Sequence, residues 1–315
     1  MFVLLASMYE GIVYRSTGSW YSVKTEKGFF DCRIKGKIRL AGIKSTNPIA
    51  VGDRVRLEVD PQNAKQGVIH EIFERTNYII RRSVNLSKQT HIIAANIDQV
   101  FLLVTLNNPI TTFTFIDRFL VSAQAYRIPV TLLFNKIDGY SENQKAELRK
   151  MATVYSKIGY PTHFISALAG EGIEQLKQQM RGKVSMFSGH SGVGKSTLAN
   201  AIDPQLDLKT ASISSSHAQG QHTTTFAEMY DLESNMRIVD TPGIRGFGVV
   251  DMAPDELSDY FPEFLARQSD CKFNNCMHTE EPHCAIKDAV AQAEIAASRY
   301  QSYLQLLEED TPYRK

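Results

Sequence analysis

The chain has 315 residues, of which 43% are hydrophobic, and this length and composition predict a folded protein of two or three domains. No apolar run approaches transmembrane length, and the apolar start is too short for a signal peptide, so we expect a cytoplasmic protein without a membrane anchor, with Met8 as its natural start. The formal net charge is only +1, but residues 1–70 carry 11 Lys and Arg against 6 Asp and Glu, and residues 252–315 carry 6 against 12. A polyanionic partner is therefore expected to meet the N-terminal part first.

Residues 1–72 contain short stretches of alternating apolar and polar side chains, separated by turn signals such as Gly18 and Pro61. The predicted strands cover residues 12–14, 20–23, 29–34, 54–59 and 67–72. Five strands in this length predict a small β-barrel domain, most simply an OB-fold. Cys32 lies in the third strand and is expected to be a core thiol.

Basic and aromatic side chains are concentrated around the second and third predicted strands, where OB-folds bind nucleic acid. We predict an RNA-binding surface here, and the alternative is a solvated strand face with core aromatics. The candidates are Arg33, Lys35, Lys37, Arg39 and Lys44, with Trp20, Tyr21 and Phe29 as stacking aromatics. Residues 73–90, which carry four basic side chains, are predicted to be a basic linker.

Residues 91–252 alternate apolar strands with helical stretches, which predicts an α/β domain with a mostly parallel sheet. A strand at 97–104 and a helix at 114–126 lead to a strand at 130–134, which ends in Asn135, Lys136, Ile137 and Asp138. This N-K-x-D string is typical of a guanine reader. The Asp138 carboxylate can accept from both the ring N1–H and the exocyclic amine of guanine, and Lys136 is expected to lie along the base face. A site that pairs such groups rejects a base lacking them by roughly 10⁴ or more.

A companion loop follows a predicted helix at 141–158 and a strand at 162–165. It contains Ser166 and Ala167, and one of its backbone N–H groups is expected to meet guanine O6.

Residues 189–196 match the phosphate-binding string G-x-x-x-x-G-K-[ST] between a predicted strand and a predicted helix. Inward-turned backbone N–H groups and the positive helix end bind phosphates in such a loop. Lys195 is expected to reach the β- and γ-phosphates, and the Ser196 hydroxyl is expected to bind Mg²⁺. The predicted contacts are Gly189, His190, Ser191, Gly192, Val193, Gly194, Lys195, Ser196 and Thr197.

A fourth motif, D-x-x-G, follows a predicted strand at 236–239 and contains Asp240 and Gly243, which are expected to sense Mg²⁺ and the γ-phosphate. The polar stretch 206–225 is predicted to be a long, mobile first switch loop. In an ordinary GTPase the phosphate loop precedes N-K-x-D, whereas here N-K-x-D and S-A come first. The motif order therefore predicts a circular permutation, which is tolerable because domain termini often lie close together.

Residues 253–315 are predicted to form a helical zinc-binding domain. Cys271, Cys276, His278 and Cys284 make a Cys₃His set suited to tetrahedral Zn²⁺, with His283 as a weaker alternative to His278. Because four protein ligands leave no open position, the zinc is expected to be structural. Helices are predicted at 255–267 and 285–309. Their expected core side chains are Leu257, Tyr260, Phe261, Phe264 and Leu265 in the first, and Val290, Ala293, Ala297, Tyr300, Leu304 and Leu307 in the second.

Permuted guanine motifs between a basic barrel and a Cys/His cluster resemble the RsgA (YjeQ) family of bacterial, small-ribosomal-subunit-dependent GTPases. The resemblance covers nearly the whole chain and is most specific at 220–225, 240–243, 261–263 and 271–284. It implies a circularly permuted α/β P-loop GTPase domain with an N-terminal OB-fold and a C-terminal zinc domain. It also implies GTP hydrolysis stimulated by the small ribosomal subunit during its late maturation, with the subunit and its rRNA as partners. We expect a monomer.

Catalysis is expected to involve the threonines at 223–225, of which Thr224 or Thr225 completes the Mg²⁺ shell. Ile244 stands where many GTPases carry a water-orienting glutamine, and its side chain cannot hydrogen-bond water. Unstimulated hydrolysis should therefore be slow, and His222 is our candidate for positioning the attacking water. The alternative for His222 is an ordinary exposed loop histidine.

Two other functions are compatible with the same motifs. The chain could be a module that holds GTP with little turnover while tethering RNA, or a permuted GTPase that acts on a different RNA. Hydrolysis assays with and without ribosomal subunits distinguish these alternatives.

Overall fold

The structure is a computed structural model that describes residues 7–34, 48–60, 63–82, 90–206, 227–240 and 252–309. Within these residues the strands are β1 (Met8–Ser16), β2 (Tyr21–Thr25), β3 (Gly28–Ile34), β4 (Arg54–Asp60), β5 (Asn63–Ile72), β6 (Tyr78–Arg82), β7 (Thr90–Ala95), β8 (Gln99–Val104), β9 (Val130–Phe134), β10 (Thr162–Phe164), β11 (Val184–Ser188), β12 (Glu228–Leu232) and β13 (Met236–Asp240). The helices are α1 (Phe113–Ala125), α2 (Glu142–Lys157), α3 (Ile173–Met180), α4 (Lys195–Ile202), α5 (Pro262–Leu265), α6 (Ala285–Ala291) and α7 (Ala297–Glu309).

The chain divides into two compact units. The first takes residues 1–100, 173–188 and 195–245, and the second takes residues 101–172, 189–194 and 246–315.

The first unit contains the predicted five-stranded barrel. Its strands pair in the order β1-β2-β3-β5-β4, and β4 pairs back onto β1, which closes the barrel. The β3–β5 pair is parallel and the other pairs are antiparallel, which is the arrangement of an OB-fold. Alternate side chains point inward, and the core residues Val13, Val23, Cys32, Val55, Leu57 and Ile69 are fully buried. The prediction of Cys32 as a core thiol is confirmed.

The stretch predicted as a basic linker contains strand β6, which pairs antiparallel with β7. This hairpin was not predicted, because its basic residues are also typical of a linker. The remaining strands of this unit are β11 and β13, which are parallel, and β12, which is antiparallel to β13.

The second unit contains strands in the order β10-β9-β8, with β10 parallel to β9. All side chains of β8 and β9 are buried, as expected for inner strands of a sheet that helices cover on both faces. Helix α1 begins where the Thr112 hydroxyl accepts a hydrogen bond from the Phe115 N–H. Helix α2 begins with a reciprocal capping box between Ser141 and Gln144. These two helices and strand β10 were predicted to within one or two residues.

The two predicted C-terminal helices are both interrupted. The stretch 255–267 is a 3₁₀ helix at Pro254–Tyr260 followed by the short α5, because Pro262 has no N–H to donate and forces Phe261 into an extended conformation. Leu265 is 51% exposed, so its prediction as a core residue was wrong.

The stretch 285–309 is two helices, α6 and α7, separated at Ala293, whose φ of 58° ends the first. Ala293 and Ala297 are exposed, which corrects the predicted stripe. The break changes which side chains face inward, and Ile286, Ala289, Ile295, Tyr303 and Leu306 are the buried ones. No helix within the described residues is long and apolar enough to cross a membrane.

Candidate functional site: a guanine-nucleotide pocket and a metal cluster

Asn135 joins three loops of the second unit. Its side-chain Nδ2 donates to the Val193 carbonyl at 2.9 Å, and its Oδ1 accepts from the Ala167 N–H at 3.0 Å. The side chain is 1% exposed, so both bonds are shielded from water. The predicted guanine reader, the S-A loop and the phosphate-binding loop are therefore linked directly by one amide group.

Lys136 adds a second link to the phosphate-binding loop. Its ammonium donates to the Gly192 carbonyl at 2.8 Å and to the Asn108 carbonyl at 2.6 Å. The residue has a φ of 67°, a left-handed conformation that turns the chain sharply after β9. The segment around Asn108 was not predicted to touch the site, because a backbone carbonyl leaves no signal in a sequence.

The Asp138 carboxylate has a protein partner in the S-A loop. The Ser166 hydroxyl donates to Asp138 Oδ1 at 2.5 Å and itself accepts from the Ala169 N–H at 2.9 Å. Ser166 is fully buried. Its side chain therefore orients the acidic group that is predicted to read guanine, a role that the sequence analysis had not given it.

The Ala167 N–H, predicted as a possible donor to guanine O6, already donates to Asn135. A bound base would share or replace that bond, or would use the N–H of Leu168, the next residue. Leu168 is 82% exposed at the surface of this loop.

The phosphate-binding loop depends on glycine at two positions in the second unit. Gly194 has a φ of 105°, and a Cβ there would lie 2.5 Å from Asn135 Nδ2. Gly189 has a φ of 137°, and a Cβ there would lie 2.7 Å from the Leu103 carbonyl oxygen. Both positions therefore exclude any side chain.

The first unit contains the residues that continue this loop in the chain. Helix α4 begins at Lys195, the Ser196 side chain is buried, and Asp240 ends β13. Burial lowers the pKa of Lys195 to about 8, and the negative charge of Asp240 opposes this shift. A phosphate group placed beside this buried ammonium would favour its charged form.

Several predicted residues lie outside the described residues. These are His222, Thr224, Thr225 and Gly243, together with Lys35, Lys37, Arg39 and Lys44 of the basic surface. On the barrel, Tyr21 is 1% exposed and belongs to the core, so it cannot stack a base. Phe29 is 53% exposed, and the Arg33 guanidinium lies 4.0 Å from the centre of the Trp20 ring.

Four ligand atoms of the predicted metal set converge in the second unit. The donor atoms of Cys271, Cys276, His278 and Cys284 all lie within 4.8 Å of one another. His278 Nδ1 is 3.4 Å from Cys284 Sγ and 3.7 Å from Cys271 Sγ, and those two sulfurs are 4.0 Å apart. Two sulfur ligands about 2.3 Å from a tetrahedral metal lie roughly 3.8 Å apart, so the cluster fits such an ion.

The ionisation of the cluster also fits a metal. Burial raises the pKa of the Cys276 thiol to about 12, so a metal must displace its proton. Burial lowers the pKa of His278, with Glu281 opposing, which keeps the imidazole neutral and able to ligate. The alternative ligand His283 is exposed and is not part of the cluster. The cluster could hold a metal ion, as predicted.

The chain is similar to proteins of one family over nearly its whole length. Residues 72–250 match the family model of the RsgA GTPase, and residues 10–69 match that of the RsgA N-terminal domain. The chain belongs to the RsgA GTPase family. It is 63% identical over 308 residues to a Christiangramia forsetii protein named small ribosomal subunit biogenesis GTPase RsgA, covering 97% of this chain and 98% of that protein.

Two solved structures support the fold of this RsgA-family chain. The crystal structure of YjeQ from Thermotoga maritima matches with a TM-score of 0.78 and 36% identity, covering 96% of this chain and 98% of that one. The structure of YloQ, titled a circularly permuted GTPase, matches with a TM-score of 0.76 and 26% identity, covering 100% and 99%. The predicted fold class, a circularly permuted GTPase with an N-terminal OB-fold, is confirmed, and the chain is a GTPase.

Proposed function

We propose that this chain binds GTP, hydrolyses it to GDP and phosphate, and uses the turnover in the late maturation of the small ribosomal subunit and in its own release. The observation that carries the nucleotide part is the Asn135 side chain, which bonds the phosphate-binding loop and the S-A loop at once. The ribosomal part rests on the name of the relative that is 63% identical over nearly the full length.

Base recognition is assigned to Asp138, whose carboxylate would accept from guanine N1–H and from the exocyclic amine. The Ser166 hydroxyl supports this role because it holds one carboxylate oxygen before any base is bound. Guanine O6 would accept from the N–H of Ala167 or Leu168. Adenine offers an acceptor at N1 and cannot satisfy the carboxylate, which is the basis of the selectivity.

Phosphate binding is assigned to the backbone N–H groups of Gly189–Gly194 and to Lys195. The Ser196 hydroxyl, with Thr224 and Asp240, would hold Mg²⁺, which when bound neutralises charge on the β- and γ-phosphates. Burial disfavours the charged form of Lys195 and lowers its pKa, so an anion placed beside the ammonium would stabilise that charged form.

Hydrolysis requires a water molecule to attack the γ-phosphorus while the bond to the β,γ-bridging oxygen breaks. We assign His222 to the positioning of that water, and Thr224 or Thr225 and Gly243 to sensing the γ-phosphate. Ile244 has no hydrogen-bonding side chain, so unstimulated turnover should be slow, near ~10⁻⁴ s⁻¹, and a partner could raise it by ~10³–10⁵.

Residues 253–315 would form the zinc domain, with one structural Zn²⁺ held by Cys271, Cys276, His278 and Cys284. The closed set of four protein ligands and its burial support a structural ion. Residues 1–72 would form the OB-fold that meets rRNA, joined through 73–90 to the GTPase domain at 91–252. Such a protein acts in the cytoplasm, where bacterial subunits mature.

The test is GTP turnover measured with purified small and large ribosomal subunits side by side. We expect strong stimulation by the small subunit and none by the large one, and Lys195→Ala should abolish both basal and stimulated turnover. Equal stimulation by both subunits would contradict the assigned partner. Tight GTP binding without stimulated turnover would favour a tethering module instead.

A further inference from the structure

Helix α1 contacts the phosphate-binding loop on one of its faces. The Phe115 ring lies with its centre 3.8 Å from the centre of the His190 imidazole, at an interplanar angle of 31°. This contact places α1 directly behind the loop that would wrap the phosphates. A shift of the helix would therefore move the ring against which His190 packs.

The adjacent stripe of α1 faces the C-terminal region. Positions 114, 117 and 121 follow the i, i+3, i+7 spacing of one helical face. The Thr114 hydroxyl donates to Gln305 Oε1 of α7 at 2.7 Å, and Val121 belongs to the apolar cluster built by the C-terminal residues. Asp117 lies between them and meets Arg299 of α7.

Arg299 is the most enclosed charge of the C-terminal region, at 1% exposure. Its Nη1 donates to Asp117 Oδ1 at 2.7 Å, and its Nε and Nη2 donate to the two Glu263 oxygens at 2.6 and 3.1 Å. The Tyr155 hydroxyl of α2 donates to the same Asp117 oxygen at 2.8 Å. One guanidinium on α7 thus joins α1 and α5 through three hydrogen bonds to carboxylate oxygens.

The charges of this network depend on one another. Burial raises the pKa of Asp117 and the positive charge of Arg299 opposes the shift. Burial acts to lower the pKa of Arg299, but the carboxylates of Asp117 and Glu263 outweigh it and raise the pKa. Removing the guanidinium would leave two carboxylates close together without a cation.

Helix α7 also donates hydrogen bonds to the metal-ligand loop, residues 271–284, which contains the four predicted ligands. The Tyr300 hydroxyl donates to the His278 carbonyl at 2.7 Å, and the Tyr303 hydroxyl donates to the Met277 carbonyl at 2.9 Å. Both tyrosines lie within four residues of Arg299 on the same helix. The ligand loop, α7, α1 and His190 therefore form one continuous series of contacts.

We propose that Arg299 is a positioning residue for the nucleotide site: by clamping α7 onto α1, it couples the arrangement of the metal-binding C-terminal region to the phosphate-binding loop. This inference rests on the proposed function. It assigns an effect on nucleotide affinity to a residue that reaches the phosphate-binding loop only through helix α1. Coupling of this kind is reciprocal, so a nucleotide in the loop must also stabilise the packing of α7.

The first measurement is the dissociation constant for GDP in the full-length, metal-loaded protein. Arg299→Met should weaken GDP by about 5- to 20-fold, the lower part of the range of site–site couplings, while Arg299→Lys should recover part of the loss. The matched control is Arg267→Met, which removes an exposed Arg–Glu pair with Glu294 from the same region. It should change GDP affinity less than about twofold.

The second measurement separates coupling from a general loss of stability. Phe115→Leu and Arg299→Met should be non-additive in GDP affinity, because both interrupt the same series of contacts. In the parent protein, GDP should slow amide hydrogen exchange in α7, and it should fail to do so in Arg299→Met. Additive effects, or equal protection of α7 by GDP in both proteins, would overturn the proposal. Absence of GDP binding in the parent protein would instead contradict the proposed function.

Discussion

The loops proposed to read the base and the loop of predicted metal ligands, residues 271–284, both contain polar groups suited to a ligand, but these groups have different partners within the protein. Ser166 donates to Asp138, and Asn135 uses both ends of its amide. In the metal-ligand loop, by contrast, His278 Nδ1 and the Cys271 and Cys284 sulfurs face one another at 3.4–4.0 Å, which is the arrangement of groups around a shared ion. We therefore expect the proposed nucleotide site to be preorganised, and the C-terminal region to depend on a metal ion that its cluster could hold.

The largest expected effect is therefore the loss of the metal. Cys284→Ala removes a ligand that is 2% exposed, and it should forfeit most of the ~10–16 kcal/mol that a structural zinc ion supplies to a small domain. Metal content should fall, and amide protection of α6 and α7 should collapse. Cys32→Ala, which alters a buried thiol of the barrel, should keep the full metal content. If α6 and α7 stay fully protected from exchange in metal-free Cys284→Ala protein, the C-terminal region does not depend on a metal ion.

The next effect concerns the guanine reader. Asp138→Ala should fold as the parent protein does, because Asn135 and Lys136 still hold the loops together. Its affinity for GDP should fall by roughly 10³–10⁴, since the base loses its bidentate acceptor. Calorimetric titration with GDP measures the loss of affinity, and titration with ADP measures the loss of selectivity for guanine over adenine. Glu171→Ala, another exposed acidic residue near the S-A loop, is the control and should bind GDP normally.

A smaller effect is expected when only the orientation of Asp138 is disturbed. Ser166→Ala deletes the hydroxyl that donates to the carboxylate at 2.5 Å, and a hydrogen bond to a charged group contributes about 1.5–3 kcal/mol. GDP affinity should fall about 10- to 100-fold, and the unfolding free energy should fall by up to about 3 kcal/mol, because the buried hydroxyl also accepts from the Ala169 N–H. The control is Ser156→Ala, which removes an exposed hydroxyl on α2. Unchanged GDP affinity in Ser166→Ala would show that the carboxylate orients itself.

The smallest effect is a pH dependence of phosphate binding. Because burial lowers the pKa of Lys195 to about 8 against the opposing charge of Asp240, the free protein loses the ammonium proton as the pH rises through 8. A phosphate needs that proton, so GDP affinity should fall by up to tenfold per unit above about pH 8 and stay level below it. Lys195→Arg keeps its charge throughout this range and should remove the pH dependence, whatever its absolute affinity. A flat profile in the parent protein would contradict the lowered pKa.

The helix starts that local chemistry determines were predicted well. The Thr112 and Ser141 hydroxyls each accept a hydrogen bond from the backbone N–H three residues on, and α1 and α2 begin directly after these two residues. The breaks at Pro262 and Ala293 were missed, although proline is a local signal. At Ala293 the left-handed conformation belongs to a Schellman cap of α6, in which the Ala293 N–H donates to the Val290 carbonyl and the Glu294 N–H donates to the Ala289 carbonyl. Glycine is the usual residue at this position, so alanine gives no sequence signal for the cap.

The Asp117–Arg299–Glu263 network was also missed, since its members are 182 and 36 residues apart in the chain. The one available sign was an acidic residue between Ile116 and Phe119 on an otherwise apolar helix face. A buried aspartate there requires a partner, but the sequence contains no information on which of many basic residues supplies it.

The amino-acid sequence by itself determined the fold class, the permuted order of the guanine-binding motifs and the metal-ligand set. These features depend on short strings whose residue types and spacing are set by the chemistry of one ligand. Only the tertiary structure decided that Ser166 orients Asp138, that Asn135 joins three loops, that His278 rather than His283 faces the thiols, and that Arg299 lies between α1 and α7. Such contacts depend on where distant backbone segments meet, and that is decided by the packing of the whole core.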